Sequence, residues 1–313
     1  MISRRGFLAG ICSLALPAGG VAYGVGIEPY RLTIASYNVR LPKWRGAKLR
    51  IAALADIHAC DPFMSLNHLK HIVDTTNALH PCITVLLGDY VADLSVPFQR
   101  LPEAQWAHAL SALRAPLGVH AILGNHDWWS DADVMRKLSG IPRARRALED
   151  AGIPVYENDA RRLTKGGQSF WLGGLGDQWA FRAASRKIEG RHTRIYMGVD
   201  DVPGLLHKID DDAPIILMAH EPDIFASLPD RISLTLAGHM HAGQVCIAGY
   251  APSLPSKFGA RYRYGHIVEG GRQMIVSGGL GCSYLPIRIG APPEIVVVNI
   301  EGIQEPTLDG RHS

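Results

Sequence analysis

The sequence predicts an α/β domain in which two β-sheets pack face to face and helices cover their outer surfaces. Short apolar runs alternate with longer amphipathic segments in the first half of the chain, and strand-like runs recur without long helices in the second half. With 313 residues, of which 47% are hydrophobic, the chain is large enough to bury a substantial core. We therefore expect one continuous domain.

The first half of this domain alternates strands with helices. The apolar run 49–55 predicts a buried strand, and the amphipathic run 65–80 predicts a helix. The same patterns predict further elements, namely a strand at 83–87, a helix at 102–114, a strand at 119–123 and a helical region at 131–151 that is interrupted near 140–142.

The second half contains mainly strands. A hairpin is expected over 161–175, with its turn at Gly166 and Gly167. Further strands are predicted at 214–218, 232–236, 273–277 and 294–300. Because each apolar strand is interpreted as ending in a polar motif, the chemistry is expected along one rim of the sandwich, where the loops after the strands converge.

The N-terminus has the pattern of a twin-arginine export signal. Arg4 and Arg5 precede an uncharged, apolar stretch that extends to Ile27. The alternative, a short core helix, does not account for the paired arginines. This pattern predicts transfer by the twin-arginine translocation machinery to the periplasm, or anchoring at the outer face of the cytoplasmic membrane if the segment is not cleaved. The predicted divisions are a signal or anchor at 1–27, a connector at 28–48, the main domain at 49–302 and a C-terminal tail at 303–313.

The charge of the chain does not indicate a nucleic-acid partner. Lysine and arginine number 32 against 29 acidic residues, and the densest basic cluster is Arg143, Arg145 and Arg146. A cluster this small is typical of a solvated helix face, so no specific nucleic-acid binding is expected.

Five polar motifs at predicted strand ends carry groups that bind cations. In the first, Asp56 and His58 offer a carboxylate and an imidazole from one strand exit. In the second, Gly88 permits a sharp turn that leaves Asp89 at the strand tip, where one carboxylate can bridge two cations. Each motif alone is more typical of an ordinary turn.

The remaining three motifs are more specific. The run Asn125, His126 and Asp127 supplies a neutral amide ligand, an acid and an orienting carboxylate. A single histidine, His220, follows the predicted strand at 214–218. His239 and His241, two residues apart between glycines, point the same way on extended backbone. The five motifs together predict a metal centre, because structural roles do not explain all of them at once.

These motifs resemble those of the calcineurin-like metallophosphoesterase family, whose pattern is D-x-H, G-D, G-N-H-[DE], a lone H and G-H-x-H. The resemblance covers nearly all of the chain after the signal, and with the paired arginines it is closest to the bacterial exported phosphodiesterase branch. It implies a four-layer αββα sandwich of the metallo-dependent phosphatase type with a dinuclear centre. The implied ligands are Asp56, His58 and His241 for one metal, Asn125, His220 and His239 for the other, and Asp89 between them.

The resemblance also implies a hydrolytic mechanism. Two divalent cations about 3.5 to 4 Å apart activate a bridging hydroxide, His126 protonates the leaving group as general acid, and Asp127 orients His126. Imidazole, carboxylate and amide ligands suit manganese, iron or zinc, and manganese is the first expectation.

The expected substrate is a small-molecule or lipid phosphoester, most simply a phosphodiester. Trp128 and Arg261 are the predicted substrate-binding residues, whereas packing explains Trp129 and Trp179 at least as well. One alternative is a pyrophosphate hydrolase of the UDP-2,3-diacylglucosamine type, and another is a non-catalytic metal-binding protein of the cell envelope. A serine hydrolase is disfavoured because the chain contains no G-x-S-x-G sequence.

Overall fold

The computed structural model of the protein describes residues 19–188 and 191–302. Most of the predicted export signal and the C-terminal tail lie outside these residues, and residues 19–26 form a helix. No helix within the described part of the chain is long and apolar enough to cross a membrane.

Fifteen strands are described. In chain order they are β1 (Thr33–Leu41), β2 (Leu49–Leu54), β3 (Cys60–Asp61), β4 (Ile83–Leu86), β5 (Gln99–Arg100), β6 (Val119–Ala121), β7 (Asp159–Lys165), β8 (Gln168–Gly174), β9 (Phe181–Ile188), β10 (Arg191–Met197), β11 (Ile215–Met218), β12 (Leu234–Ala237), β13 (Gly265–Glu269), β14 (Arg272–Val276) and β15 (Glu294–Gly302).

Six further α-helices, besides the one at 19–26, accompany these strands in the described part of the chain. They are α1 (Leu66–Ala78), α2 (Glu103–Leu110), α3 (Asn125–Trp129), α4 (Ala132–Lys137), α5 (Arg143–Asp150) and α6 (Val202–His207). In α1, the Ser65 side chain caps the first turn by accepting a hydrogen bond from the main-chain N–H of His68. Its buried residues Leu69, Ile72 and Val73 recur at helical spacing, as the sequence predicts.

The strands form two main sheets. The first has the order β1-β15-β2-β4-β6, and the second has the order β13-β14-β12-β11-β8-β7. The segment 28–48, expected as a connector, contributes β1 to the edge of the first sheet, where it pairs in parallel with β15. Strands β9 and β10 form a separate antiparallel hairpin.

The core consists of three apolar clusters, which lie between the four layers formed by helices, first sheet, second sheet and helices. Between the sheets, Ile51, Val85 and Val298 pack with Leu172, Ile216 and Leu236. Outside the first sheet, Leu54 and Leu86 pack with Trp106, Leu110 and Leu148 of the helices. Outside the second sheet, Ile215 and Leu217 pack with Leu205 and Phe225. This arrangement confirms the predicted four-layer αββα sandwich.

Candidate metal centre

The predicted ligands converge at the ends of five strands. Asp56 and His58 follow β2, Asp89 follows β4, and Asn125 begins α3 after β6. His220 follows β11, and His239 and His241 follow β12. Because β2, β4 and β6 are parallel, as are β11 and β12, these strand ends lie at the same rim of the sandwich. The side chains form two candidate metal-binding groups, Asp56 with His58 and His241, and Asp89 with His220 and His239.

The backbone at this rim is held in an unusual conformation. Asp56, His58, Asp89, His239 and His241 all have positive φ, between 47° and 69°. Each such residue costs about 1 to 3 kcal/mol and persists only where surrounding contacts enforce it. These positive φ angles therefore lower the stability of the fold, and they set the directions of the five side chains.

In the first group, Nε2 of His58 lies 3.2 Å from Nε2 of His241, and Nε2 of His241 lies 3.7 Å from Oδ1 of Asp56. The other ring nitrogen of His58, Nδ1, lies 3.1 Å from the carbonyl oxygen of Val91. A proton on Nδ1 donated to that carbonyl leaves the lone pair of Nε2 facing the centre, as in metal-binding histidines. The buried guanidinium of Arg288 lies behind His241, with Nη2 3.3 Å from its Nδ1.

In the second group, Nε2 of His220 lies 3.2 Å from Oδ2 of Asp89, and Nδ1 of His220 lies 2.7 Å from the carbonyl oxygen of Leu87. The same Oδ2 atom of Asp89 lies 3.7 Å from Nε2 of His58. One carboxylate oxygen of Asp89 thus faces an imidazole from each group, which is the position that a ligand shared by two cations requires.

Unpartnered atoms indicate that the second group fits a cation. Oδ1 of Asn125 and Nε2 of His239 are buried without a hydrogen-bond partner among the described residues, and Nε2 of His220 faces the carboxylate of Asp89, at 3.2 Å. Leaving such a group unsatisfied costs about 1 to 3 kcal/mol. A divalent cation held by oxygen and imidazole nitrogen would satisfy all three.

The electrostatics also favour cation binding. Burial lowers the pKa of His58 and of His239 to about 3, so that both imidazoles are neutral and able to donate a lone pair. Burial raises the pKa of Asp56 to about 7. Although burial disfavours its charge, the imidazole of His220, whose Nε2 lies 3.2 Å from Oδ2, holds the pKa of Asp89 well below its usual value. Asp89 is therefore the anionic centre of the site.

Gly124, which precedes α3, is required by close packing in the same site. A Cβ atom added at Gly124 would lie 2.6 Å from Cε1 of His220 and would also meet Oδ1 of Asp89. Only glycine permits this approach between the G-N-H motif and the second metal-binding group.

His126 lies beside the two groups but belongs to neither. It is 5% exposed and lines the cavity that opens onto the centre. Its Nδ1 lies 3.9 Å from Oδ2 of Asp93, and its Nε2 lies 3.5 Å from the hydroxyl of Ser283. Burial lowers the pKa of His126, while the Asp89 and Asp93 carboxylates oppose that shift. Asp93 lies outside the five sequence motifs, although it is only four residues beyond Asp89.

The structure corrects the role expected for Asp127. Its carboxylate accepts hydrogen bonds from the main-chain N–H groups of Asp89, Tyr90, Val91 and Gly124, at 2.9 to 3.2 Å. Both oxygens are used in this way, so Asp127 clamps the loop that carries Asp89 instead of orienting the ring of His126.

The structure also corrects both predicted substrate-binding residues. Trp128 is 2% exposed and packs against the ring of Phe181 in the core. Arg261 forms two hydrogen bonds, of 2.8 and 2.7 Å, with the carboxylate of Glu269. Neither side chain lines the cavity at the centre.

That cavity has a volume of about 620 Å³. Its aromatic wall is a stack in which Tyr196 lies 4.4 Å from Trp179 and 5.5 Å from Trp129, measured between ring centroids. Trp179 contacts His239, and Trp129 contacts His126. Val245, Leu254, Leu285 and Ile287 also line the cavity.

Comparisons with known proteins agree with this geometry. The family model for the calcineurin-like phosphoesterase matches residues 49–243, which include all five motifs. The chain is 28% identical to the uncharacterized metallophosphoesterase YkuE of Bacillus subtilis, over 96% of this chain and 98% of that protein. It is 25% identical to the phosphodiesterase YaeI of Escherichia coli, over 96% of this chain and 100% of that protein.

Among solved structures, the NAD nucleotidase NadN of Haemophilus influenzae overlaps with a TM-score of 0.46 and 13% identity, covering 76% of this chain and 46% of that chain. The match to the family model extends over more than half of the sequence and spans both metal-binding groups. The chain therefore belongs to the calcineurin-like phosphoesterase family and is a metal-dependent phosphoester hydrolase.

Proposed function

We propose that the protein is a phosphodiesterase that uses two divalent cations, manganese in the first instance, and His126 as general acid. The observation that carries the proposal is the composition of the cavity. No lysine or arginine of the described residues lines it, and its walls are largely aromatic and aliphatic. A phosphomonoester dianion needs further cationic groups, whereas a singly charged diester with two ester groups suits this cavity.

In this proposal the two metal-binding groups would hold the cations that bind the phosphate. Asp56, His58 and His241 would hold one cation, Asn125, His220 and His239 the other, and Asp89 both. When bound, the cations supply Lewis-acid binding of the phosphoryl oxygens and lower the pKa of bound water.

His126 supplies the proton in this proposal. Its ring lines the cavity beside the centre, so a leaving alkoxide that points into the cavity meets an imidazole within reach. The carboxylate of Asp93 near Nδ1 favours the protonated ring. The aromatic wall keeps the remainder of the ester group against Trp129 and Trp179 and excludes water from that side.

The apolar cavity also supports a second candidate function, the hydrolysis of a lipid-linked pyrophosphate of the UDP-2,3-diacylglucosamine type. Both candidates agree with the proposed export by the twin-arginine machinery to the periplasm or to the outer face of the cytoplasmic membrane. The proposal of an export signal is supported by Arg4, Arg5 and the uncharged stretch after them.

A phosphoester panel tests the function. Purified protein loaded with manganese, iron or zinc is assayed with bis(p-nitrophenyl) phosphate, p-nitrophenyl phosphate and UDP-2,3-diacylglucosamine. We expect the highest kcat/KM for the diester. A preference for the monoester contradicts the phosphodiesterase proposal, a preference for the pyrophosphate selects the second candidate, and no turnover with any metal supports a non-catalytic metal-binding protein.

A further inference from the structure

Two loops that border the cavity, which we call the rim loops (residues 244–250 and 283–289), carry exposed apolar side chains. Ile247 and Tyr250 are 63% and 71% exposed, and Tyr284 and Leu285 are 51% and 49% exposed. A cluster of large apolar side chains that water surrounds is costly and marks a surface that binds a partner or a membrane.

The two rim loops form one unit. The side-chain amide of Gln244 donates hydrogen bonds to the carbonyl oxygens of Ser283 and Leu285, at 3.0 and 2.9 Å. The main-chain N–H of Cys246 donates to the carbonyl oxygen of Ile289 at 2.7 Å. Hydrogen bonds at residues 244 and 246 therefore hold the two rim loops together.

This unit also borders the reaction site. Val245, Tyr284, Leu285 and Ile287 line the cavity, and the ring of Tyr284 lies 6.4 Å from that of His126. The apolar surface and the wall of the cavity are thus continuous.

The N-terminal segment reaches the same place. The helix at 19–26 packs on the second rim loop, where the main-chain N–H of Arg288 donates to the carbonyl oxygen of Gly24 at 2.9 Å. A Cβ atom at Gly24 would lie 2.8 Å from Ile289, so the contact is close. Upstream of this helix, the sequence has no charged residue after Arg5. The described end of the uncharged stretch, residues 19–26, therefore contacts the second rim loop.

The charge of this region suits an anionic surface. The sequence contains no aspartate or glutamate between Asp230 and Glu269, nor between Glu269 and Glu294, and these stretches include both rim loops. The guanidinium of Arg263 lies at the first rim loop, where Nη1 donates to the carbonyl oxygen of Gly249 at 2.7 Å. Asp93, whose carbonyl oxygen accepts a hydrogen bond from the main-chain N–H of Tyr284, has its carboxylate 3.5 Å from Arg100 and 3.8 Å from Arg182. Lipid bilayers that contain anionic headgroups attract such a surface.

We propose that the rim loops dock on an anionic lipid bilayer, with Ile247 and Tyr250 inserted at the level of the headgroups. The cavity then opens towards the bilayer, and a phosphoester anchored by acyl chains reaches the metal centre along the apolar wall. The statement about substrate rests on the proposed function, whereas the docking does not.

Hydrogen exchange of the full chain tests the docking directly. The chain is bound to vesicles of phosphatidylcholine with phosphatidylglycerol, and exchange is compared with that of the free chain. We expect the amides of both rim loops to exchange at least about fivefold more slowly on the vesicles, whereas those of the 265–271 hairpin, which carries the exposed Val268, do not change. Unchanged exchange in the rim loops overturns the proposal, even if the N-terminus holds the chain on the vesicles.

A substitution separates docking from catalysis. We expect the double variant Ile247→Ser with Tyr250→Ser to bind these vesicles about tenfold more weakly and to hydrolyse soluble bis(p-nitrophenyl) phosphate as the wild type does. The matched control is Val268→Ser, whose side chain is 59% exposed on β13. Equal binding by the double variant and the wild type, or equal weakening by the control, overturns the docking surface. A wild-type chain that is inactive on the soluble diester contradicts the proposed function and leaves the exchange result to decide the docking.

Discussion

The Nδ1 atom of His126 lies 3.9 Å from Oδ2 of Asp93, while the neighbouring carboxylate in the motif, Asp127, is fully engaged by main-chain N–H groups. The carboxylate nearest Nδ1 of His126, the proposed general acid, thus comes from Asp93 in the loop after β4 and not from Asp127. Asp93 also lies 3.8 Å from Arg182, whose guanidinium stacks on Trp129 in the cavity wall. Asp93 therefore connects the position of His126 with the aromatic wall.

We expect Asp93→Asn to lower kcat for an alkyl phosphodiester by about 10- to 100-fold, part of the contribution typical of a general acid, because the charge that favours protonated His126 is lost. Metal content should stay as in the wild type, which distinguishes a positioning role from loss of the centre. The pH profile of kcat should shift to lower pH, because the pKa of His126 falls without this carboxylate. Asp212→Asn, at a side chain 94% exposed, is the matched control. An unchanged profile contradicts the role of Asp93.

For His126→Ala we expect full metal content and a loss of about 10²- to 10⁴-fold in kcat on a diester with an alkyl leaving group. The loss should be smaller on bis(p-nitrophenyl) phosphate, because p-nitrophenolate leaves without a proton. The comparison of both substrates with both proteins measures this dependence, with His108→Ala on the exposed side of α2 as control. If the variant hydrolyses the alkyl diester at the wild-type rate, His126 is not the acid.

The substitution Asp127→Ala should lower the free energy of unfolding, because Asp127 has a structural role. The substitution leaves four buried main-chain N–H groups without their acceptor, and unsatisfied buried groups cost about 1 to 3 kcal/mol each. We expect the free energy of unfolding in urea to fall by at least about 3 kcal/mol. Asp133→Ala, at a side chain 71% exposed, should change it little. Wild-type stability in Asp127→Ala would rule out the clamp.

Gly124→Ala tests the packing of the second metal-binding group. The added Cβ meets His220 and Asp89 in the wild-type geometry, so one of these ligands must move. We expect metal affinity to fall about 10- to 100-fold, as for other changes that displace metal ligands. The control is Gly26→Ala, where a Cβ atom has nothing within 4 Å. Titration of the metal-depleted chains with manganese measures both affinities, and equal values would show that the site tolerates the methyl group.

The sequence predicts the convergence of the ligands well, because each motif lies at the end of an apolar strand and parallel strands bring their ends together. It does not predict which group each polar side chain contacts. Asp127 lies beside His126 in sequence, but the partners of its carboxylate come mainly from the loop after β4, and no local pattern records that contact.

The incorrect prediction of Trp128 and Arg261 as substrate-binding residues has the same physical cause. Arg261 pairs with Glu269, eight residues further along the chain, across the turn into β13. Neighbouring tryptophans in a helix point in different directions, so Trp128 enters the core and Trp129 reaches the cavity. Strand β1 has alternating half-buried and exposed residues at a sheet edge, and this weak apolar signal is typical of a connector.

Metal content measured together with activity tests the central claim most directly. Cations are added back to the chelator-treated chain, and bound metal per chain and hydrolysis of bis(p-nitrophenyl) phosphate are followed in the same samples. The account predicts that activity is absent without metal and rises as two cations bind each chain, and that Asp89→Ala neither retains the metals nor hydrolyses the diester, because Oδ2 of Asp89 faces both metal-binding groups. Full activity in the metal-free chain, or in Asp89→Ala, would contradict it.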